Sequence, residues 1–198
     1  YLQARARGAG PAIATVTVAG SPMCHAVVIA GRQVAVHDFP HDARGMSLSF
    51  THRQSTTGWL AVYAALLAQG ITPETYFRCS AGHQHAENVL AVARGACDLA
   101  TDSERNRQTM VERGAVEDAD VRVVWRSVAW PQDPIIASNR MGPGLVRRVQ
   151  QALVAIDATA MPPGYTGFVA ATDQTYRAIH EAADLARRHA LRQEMNTA

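Results

Sequence analysis

Three consecutive hydroxyl residues, Ser55, Thr56 and Thr57, stand in the stretch His52-Arg53-Gln54-Ser55-Thr56-Thr57-Gly58, between a strand-like pattern and a helical one. The first N–H groups of a helix have no partner inside it, and the helix dipole favours negative charge there. Hydroxyls converging on such a point can donate to the oxygens of a phosphoryl or phosphonyl group. For Ser55 or Thr56 the alternative is a plain N-cap, which needs no ligand. One residue can do both. A second stretch, Gly82-His83-Gln84-His85-Ala86-Glu87, again precedes a helical pattern. A histidine there can donate to an anion, or the two rings can simply be solvated. No further ligand set stands at convincing spacing from His83 and His85, so no metal is expected.

A third stretch, Asp98-Leu99-Ala100-Thr101-Asp102-Ser103-Glu104, puts acids and hydroxyls where a buried strand ends. Ligands of α/β proteins gather at such ends. Asp102 or Ser103 would alternatively cap the next helix, with Glu104 in its first turn. Asp133, within Pro131-Gln132-Asp133-Pro134, can meet a cationic ligand group, or serve only as a turn residue. Ser55 with His83 or His85 and Asp102 also supplies the residue types of a hydrolytic triad. The surrounding Gln54-Ser55-Thr56-Thr57-Gly58 is not a G-x-S-x-G elbow, and residue types without geometry carry little weight. A small α/β hydrolase therefore stands as an alternative, and no catalytic residue is expected.

Elements must hold these groups. Residues Ala12 to Ala19 alternate β-branched and small side chains and predict a strand; His25 to Ala30 and Met46 to Phe50 predict two more. Trp59, Val62, Tyr63, Leu66 and Leu67 fall at i, i+3, i+4, i+7 and i+8, so a helix from about Thr56 to Gln69 would bury one face. Glu74 to Cys79 reads as a short strand, Ala86 to Arg94 as a helix, Cys97 to Thr101 as a buried strand, Ser103 to Arg113 as an exposed helix and Val121 to Ser127 as a strand. Leu145 to Ile156 is an amphipathic helix on Leu145, Val149, Leu153 and Ile156, and Thr172-Asp173 can cap a last helix reaching about Arg192. Strands alternate with helices, which predicts an α/β fold with mostly parallel pairing. The stretch from about Met46 to Val128 looks self-sufficient.

Composition narrows the chemistry. The 198 residues carry a net charge of +2, too little for a nucleic-acid groove or an anionic membrane surface. All nineteen basic residues are Arg, which excludes Schiff-base chemistry on lysine and a P-loop lysine. No apolar run approaches the roughly 18–20 residues of a membrane span. Cys24, Cys79 and Cys97 form no metal-type spacing; Cys79 and Cys97 can pair in an oxidising compartment or serve as small buried hydrophobes. The chain opens on Tyr1-Leu2-Gln3 with no signal peptide in view, and its native start is expected upstream.

Taken together, four stretches resemble the periplasmic substrate-binding proteins of phosphonate, phosphite and phosphate ABC transporters. Gln54-Ser55-Thr56-Thr57-Gly58-Trp59-Leu60 is similar to the family's phosphonate loop. His85-Ala86-Glu87-Asn88-Val89-Leu90-Ala91-Val92 resembles its ligand histidine and the helix behind it. Cys97-Asp98-Leu99-Ala100-Thr101 resembles a family strand. Val123-Val124-Trp125-Arg126-Ser127 through Pro131-Gln132-Asp133-Pro134-Ile135 resembles a crossing between lobes.

The resemblance implies a type II periplasmic-binding fold of two α/β lobes. Residues 1–45 and 129–198 would form a partial first lobe and 46–128 the second, with two or three strand–helix units of the family absent before Tyr1. It implies a non-enzymatic solute-binding component of an ABC importer, periplasmic, without cofactor or metal. The ligand would be a phosphonate, phosphite or phosphate, and the partner an ABC permease, with no nucleic acid and no membrane insertion. A ligand-sensing module of the same fold is the alternative. Ser55, Thr56 and Thr57 would hold the oxyanion, His85 would add a donor with His83 as fallback, and Asp133 would meet an amino group. The family's acid after the Ala-Thr strand does not align cleanly; Asp102 or Glu104 would substitute. One ligand-packing aromatic is replaced within Met23-Cys24-His25.

Overall fold

The computed structural model describes residues 1–197. In chain order the first elements are α1 (Leu2–Ala6), β1 (Ala12–Val18), β2 (Met23–Cys24), β3 (Ala26–Ala30) and β4 (Ser47–Thr51). A π-helical turn, Thr56–Leu60, runs straight into α2 (Ala61–Ala68), followed by α3 (Pro73–Tyr76), β5 (Arg78–His83), α4 (His85–Ala93), β6 (Leu99–Ser103), α5 (Glu104–Glu112) and β7 (Arg122–Arg126). The chain ends with β8 (Trp130–Pro131), β9 (Pro134–Ile136), α6 (Pro143–Val154), β10 (Tyr165–Ala170) and α7 (Arg177–Thr197). Two compact units result: Tyr1–Cys24 with Trp130–His180, and His25–Ala129 with the chain from Glu181 onward.

The larger unit is built on a five-stranded sheet of order β5-β4-β6-β3-β7. Helical crossovers after β4, β5 and β6 let β4, β5, β6 and β7 all run the same way, as the alternation in the sequence predicts. Yet β3 is inserted between β6 and β7 and runs against both. The smaller unit repeats the device: β9, α6 and β10 form a crossover, and β1 lies antiparallel between the two strands. Hence only β4 with β5 and β4 with β6 pair in parallel among the described residues, which corrects the expectation of mostly parallel sheets. An inserted strand converts one parallel neighbour pair into two antiparallel ones. The larger sheet also draws β3 from the N-terminal flank, so it is not made from the middle stretch alone.

All five residues of β3 are buried. Val27 and Ile29 pack with Val89, Val92, Ala100 and Val121 in one core cluster, and full burial of such a side chain contributes about 1.5–3 kcal/mol. Helix α2 departs from the one-face expectation: Ala61, Val62, Tyr63, Ala64 and Leu66 are all buried. The expected strand over Glu74 to Cys79 is instead α3 followed by the start of β5, because Pro73 opens a helical turn after Thr72. In the smaller unit α6 forms where expected but stops at Val154 and buries no residue; Leu145 is exposed, as is Ile156 beyond its end. The capping box of Thr172 starts a short 3-10 turn before α7. Asp173 meanwhile accepts from Ala12 N at 2.9 Å, from Tyr1 Oη at 2.8 Å and from Arg5 at 2.8 Å, tying α1 and β1 to the C-terminal segment. Cys24, Cys79 and Cys97 are all free thiols. No helix among the described residues is long and apolar enough to cross a membrane.

Asn88 locks α4 onto the sheet. Only 1% exposed, it accepts from Ser49 Oγ at 2.8 Å and donates to the carbonyls of Ser49 and Thr101, both at 3.1 Å. Asn88→Ala strands a buried hydroxyl and two carbonyls, which predicts a loss of about 3 kcal/mol. Urea unfolding followed by circular dichroism checks this; a midpoint unchanged from the parent chain would refute it.

Candidate functional site

The end of β4 delivers the chain through His52, Arg53 and Gln54 into the hydroxyl-rich turn. Ser55 is the N-cap: its extended backbone lets Oγ accept from Gly58 N at 3.0 Å. The turn is wound i to i+5, Leu60 N reaching Ser55 O at 3.0 Å and Ala61 N bonding Thr56 O. The wider winding carries Gly58 against Thr51 and His85. A Cβ on Gly58 would lie 2.0 Å from Thr51 Oγ1, 2.5 Å from Thr51 Cγ2 and 2.8 Å from His85 Cε1. Thr101 Oγ1 donates to Gly58 O and fixes the same peptide from the sheet side.

His85 opens α4, where a capping box between Gln84 and Glu87 sets the helix start. Its ring bridges two elements. Nε2 lies 3.1 Å from Ser55 Oγ and Nδ1 lies 2.5 Å from Asp102 Oδ1. Asp102 is fully buried at the end of β6. Its Oδ1 also accepts from Ser103 N at 2.7 Å and its Oδ2 from Asn106 Nδ2 at 2.9 Å. Burial pushes the Asp102 carboxyl above its ordinary range, opposed by the hydrogen bonds from His85, Asn106 and Ser103.

The structure therefore brings Ser55, His85 and Asp102 into one hydrogen-bonded line, with Thr56 half-buried and Thr57 9% exposed on the same turn. Neither threonine hydroxyl has a hydrogen-bond partner among the described residues. The cap reading of Ser55 holds: the cap uses one lone pair of Oγ, and the contact with His85 Nε2 engages the hydroxyl a second time. The other expected residues stand apart. His83 is the exposed last residue of β5, in register with Thr51. Glu104 holds Arg126 through both oxygens, at 2.7 and 2.8 Å, and that pairing lowers its carboxyl below the usual range. Asp133 belongs to the smaller unit, where its side chain is exposed and its carbonyl accepts from Thr15.

Sequence reasoning passed over Gly58, Thr51, Thr101, Asn88 and Asn106. Gly58 carried a signal, since a glycine three residues past a serine cap is a poor helix former placed inside a helix. The roles of the other four are tertiary. No group of metal-binding side chains occurs among the described residues.

Sheets in which a helical crossover straddles an antiparallel strand, beside a helix opened by hydroxyls, define the class of periplasmic binding proteins, and solved structures of that class share this fold. A binding-protein component of an ABC phosphonate transporter from Pseudomonas aeruginosa matches with a TM-score of 0.75 at 20% identity, over 92% of this chain and 64% of that one. PhnD1 from Prochlorococcus marinus, in complex with methylphosphonate, matches with a TM-score of 0.75 at 15% identity, over 94% of this chain and 75% of that one. More particularly, the chain belongs to the family described as "ABC transporter, phosphonate, periplasmic substrate-binding protein", whose profile matches residues 1–176. The phosphonates-binding periplasmic protein of Escherichia coli strain K12 is 27% identical over 126 residues, which is 62% of this chain and 37% of that protein. The chain thus spans well under two thirds of the length of that relative. This is a family of substrate-binding proteins, and the hydrolase alternative falls with it.

Gly58→Ala must displace the Thr51 side chain or the His85 ring, which predicts a destabilisation of about 2–3 kcal/mol. Thr51→Ala removes two of the three close contacts and restores part of that loss in the double variant. A thermodynamic cycle by urea unfolding measures the coupling, and strict additivity of the two substitutions would remove the steric account.

Proposed function

We propose that this chain captures a small phosphorus oxyanion (phosphonate, phosphite or phosphate) and presents it to the permease of an ABC importer, working in the periplasm. The observation that carries the reading is the turn Ser55–Thr57 opening the helical run Thr56–Ala68, with His85 backed by Asp102 beside it. Gly58 N is taken by the Ser55 cap, while the N–H groups of Thr56 and Thr57, at the first helical positions, have no partner inside the helix, and their side chains add hydroxyl donors. A charge of about −1 to −2 can be met by such donors and a helix dipole without lysine. Each hydrogen bond to an anionic oxygen is charge-assisted and contributes about 1.5–3 kcal/mol.

His85 supplies its donor through the serine of the turn, which its ring reaches, while His83 lies exposed on β5. Asp102 acts through His85. Glu104 is occupied by Arg126.

Calorimetric titration with phosphate, phosphite, methylphosphonate and 2-aminoethylphosphonate tests the proposal. Thr56→Ala is expected to weaken binding by roughly tenfold to a hundredfold, the loss of one charge-assisted hydrogen bond. Loss on His83→Ala but not on His85→Ala would move the donor to His83. Equal affinity of the Thr56→Ala and parent chains for every ligand would overturn the assignment of the turn.

A further inference from the structure

We propose that the buried Asp102–His85 pair takes up one proton when an oxyanion binds, and that this proton turns the Ser55 hydroxyl from a donor to His85 into a donor to the ligand. The inference rests on the oxyanion reading of the same site and adds the protonation state in which that site works. It makes Asp102 a positioning residue, acting on the ligand through two others.

Valence fixes the choice. A serine hydroxyl has one hydrogen to give and two lone pairs with which to accept. One lone pair of Ser55 Oγ takes the Gly58 N–H. The contact with His85 Nε2 uses either the hydrogen or the second lone pair. Asp102 decides which. Its remaining partners, Ser103 N and Asn106 Nδ2, are donors, so its carboxylate faces His85 Nδ1 and a proton lies between them. When this is the only proton of the pair, the pair carries one negative charge and Nε2 presents a bare lone pair. Ser55 then gives its hydrogen to Nε2 and has none for a ligand.

A second proton, drawn from solvent onto the pair, makes it neutral overall. Nε2–H now donates to Ser55 Oγ and fills its second lone pair, so the Ser55 hydrogen is released to an outside acceptor. The outcome is the same whether the shared proton sits on Nδ1 or on Asp102. An oxyanion favours the second state twice: it gains a donor, and a buried negative charge behind that donor is neutralised. Other ionisable groups around His85 are committed elsewhere or set apart. Glu87 of α4 accepts from Gln84 N at 2.7 Å, and Glu104 of α5 is held by Arg126. Arg107 of α5 is bound to Val121 O and Asp118, Arg105 lies in the first turn of that helix, and Glu112 is at its far end. The π-helical turn, β3 and β4 carry no charged residue.

The test is calorimetric titration of this chain with methylphosphonate from about pH 5.5 to about 8.5, in buffers of different ionisation heat, beside His85→Gln and Asp102→Asn. The ligand's own ionisation is common to all three proteins and cancels in affinity ratios. The ratio of parent to His85→Gln affinity is expected to fall by up to about tenfold per pH unit across the step, with matching proton uptake. In Asp102→Asn the step moves to lower pH, because the imidazolium loses its carboxylate. Imidazole nitrogen shifts should show His85 Nε2 protonated in the complex. A ratio flat in pH, with the parent chain still binding, overturns the proton coupling and leaves the oxyanion reading standing. A folded parent chain that binds neither methylphosphonate, phosphite nor phosphate overturns the oxyanion reading and this inference with it.

Discussion

Gly58 approaches Thr51 and His85 more closely than any other residue type would allow, and the candidate site depends on that approach. The missing side chain lets the turn settle on the end of β4. That places Ser55 against His85, and His85 against Asp102. The wide π winding serves the same end: an ordinary α-helical turn would rotate Gly58 away from the sheet and carry Ser55 with it. Thr101 then holds the Gly58 carbonyl, and Asn88 holds α4 to the carbonyls of β4 and β6. Four pieces of the sequence (β4, the π-helical turn, α4 and β6) are fastened to each other at one strand end, with every bond buried or half-buried. Such a network is stiff, and stiffness suits a site whose donors must be aimed before a ligand arrives.

The same topology serves both sheets. A crossover of strand, helix and strand would close as a parallel pair, but a strand from elsewhere in the chain is inserted between its two arms. In the larger unit the insert is β3, and in the smaller it is β1. Crossovers bring helix N-termini to one end of the sheet, and the larger unit uses that end twice, for the Ser55 turn and for α4. The insert contributes no chemistry. It contributes a fully buried spine, which lets its neighbours carry polar groups at their ends.

Much of the larger unit could be read from the sequence because its signals are local. Caps, stop glycines and apolar spacing marked α4, β6, α5 and β7 to within a few residues. The hydroxyl turn and His85 were visible for the same reason. What was hidden is tertiary. Nothing in Ala26–Ala30 says that it will lie between two later strands. Nothing in Pro73-Glu74-Thr75-Tyr76 marks a helix until the Pro is seen to open a turn. Strand β10 was missed because Gly164 and Gly167 break its alternation, yet Gly167 adopts a φ of 134° that only glycine takes readily. Asp102 was read as a cap, a ligand group or a triad member beside His83 or His85; its contact with a side chain seventeen positions back rested on residue types alone until the fold joined the two. Glu104 was spoiled as a candidate by an arginine twenty-two residues on.

The placement of β3 has a consequence for how this chain could be cut or assembled. Its five residues leave the translation machinery before any of their sheet partners exist, and both partners come from far downstream. The spine of the larger sheet must therefore wait, exposed, for its flanks to arrive, a long-range closure that slows folding. A fragment begun at residue 46 would keep every group of the candidate site but split its sheet into β5-β4-β6 and an orphaned β7. The piece that looks autonomous by its alternation is thus the piece that cannot be excised along those lines.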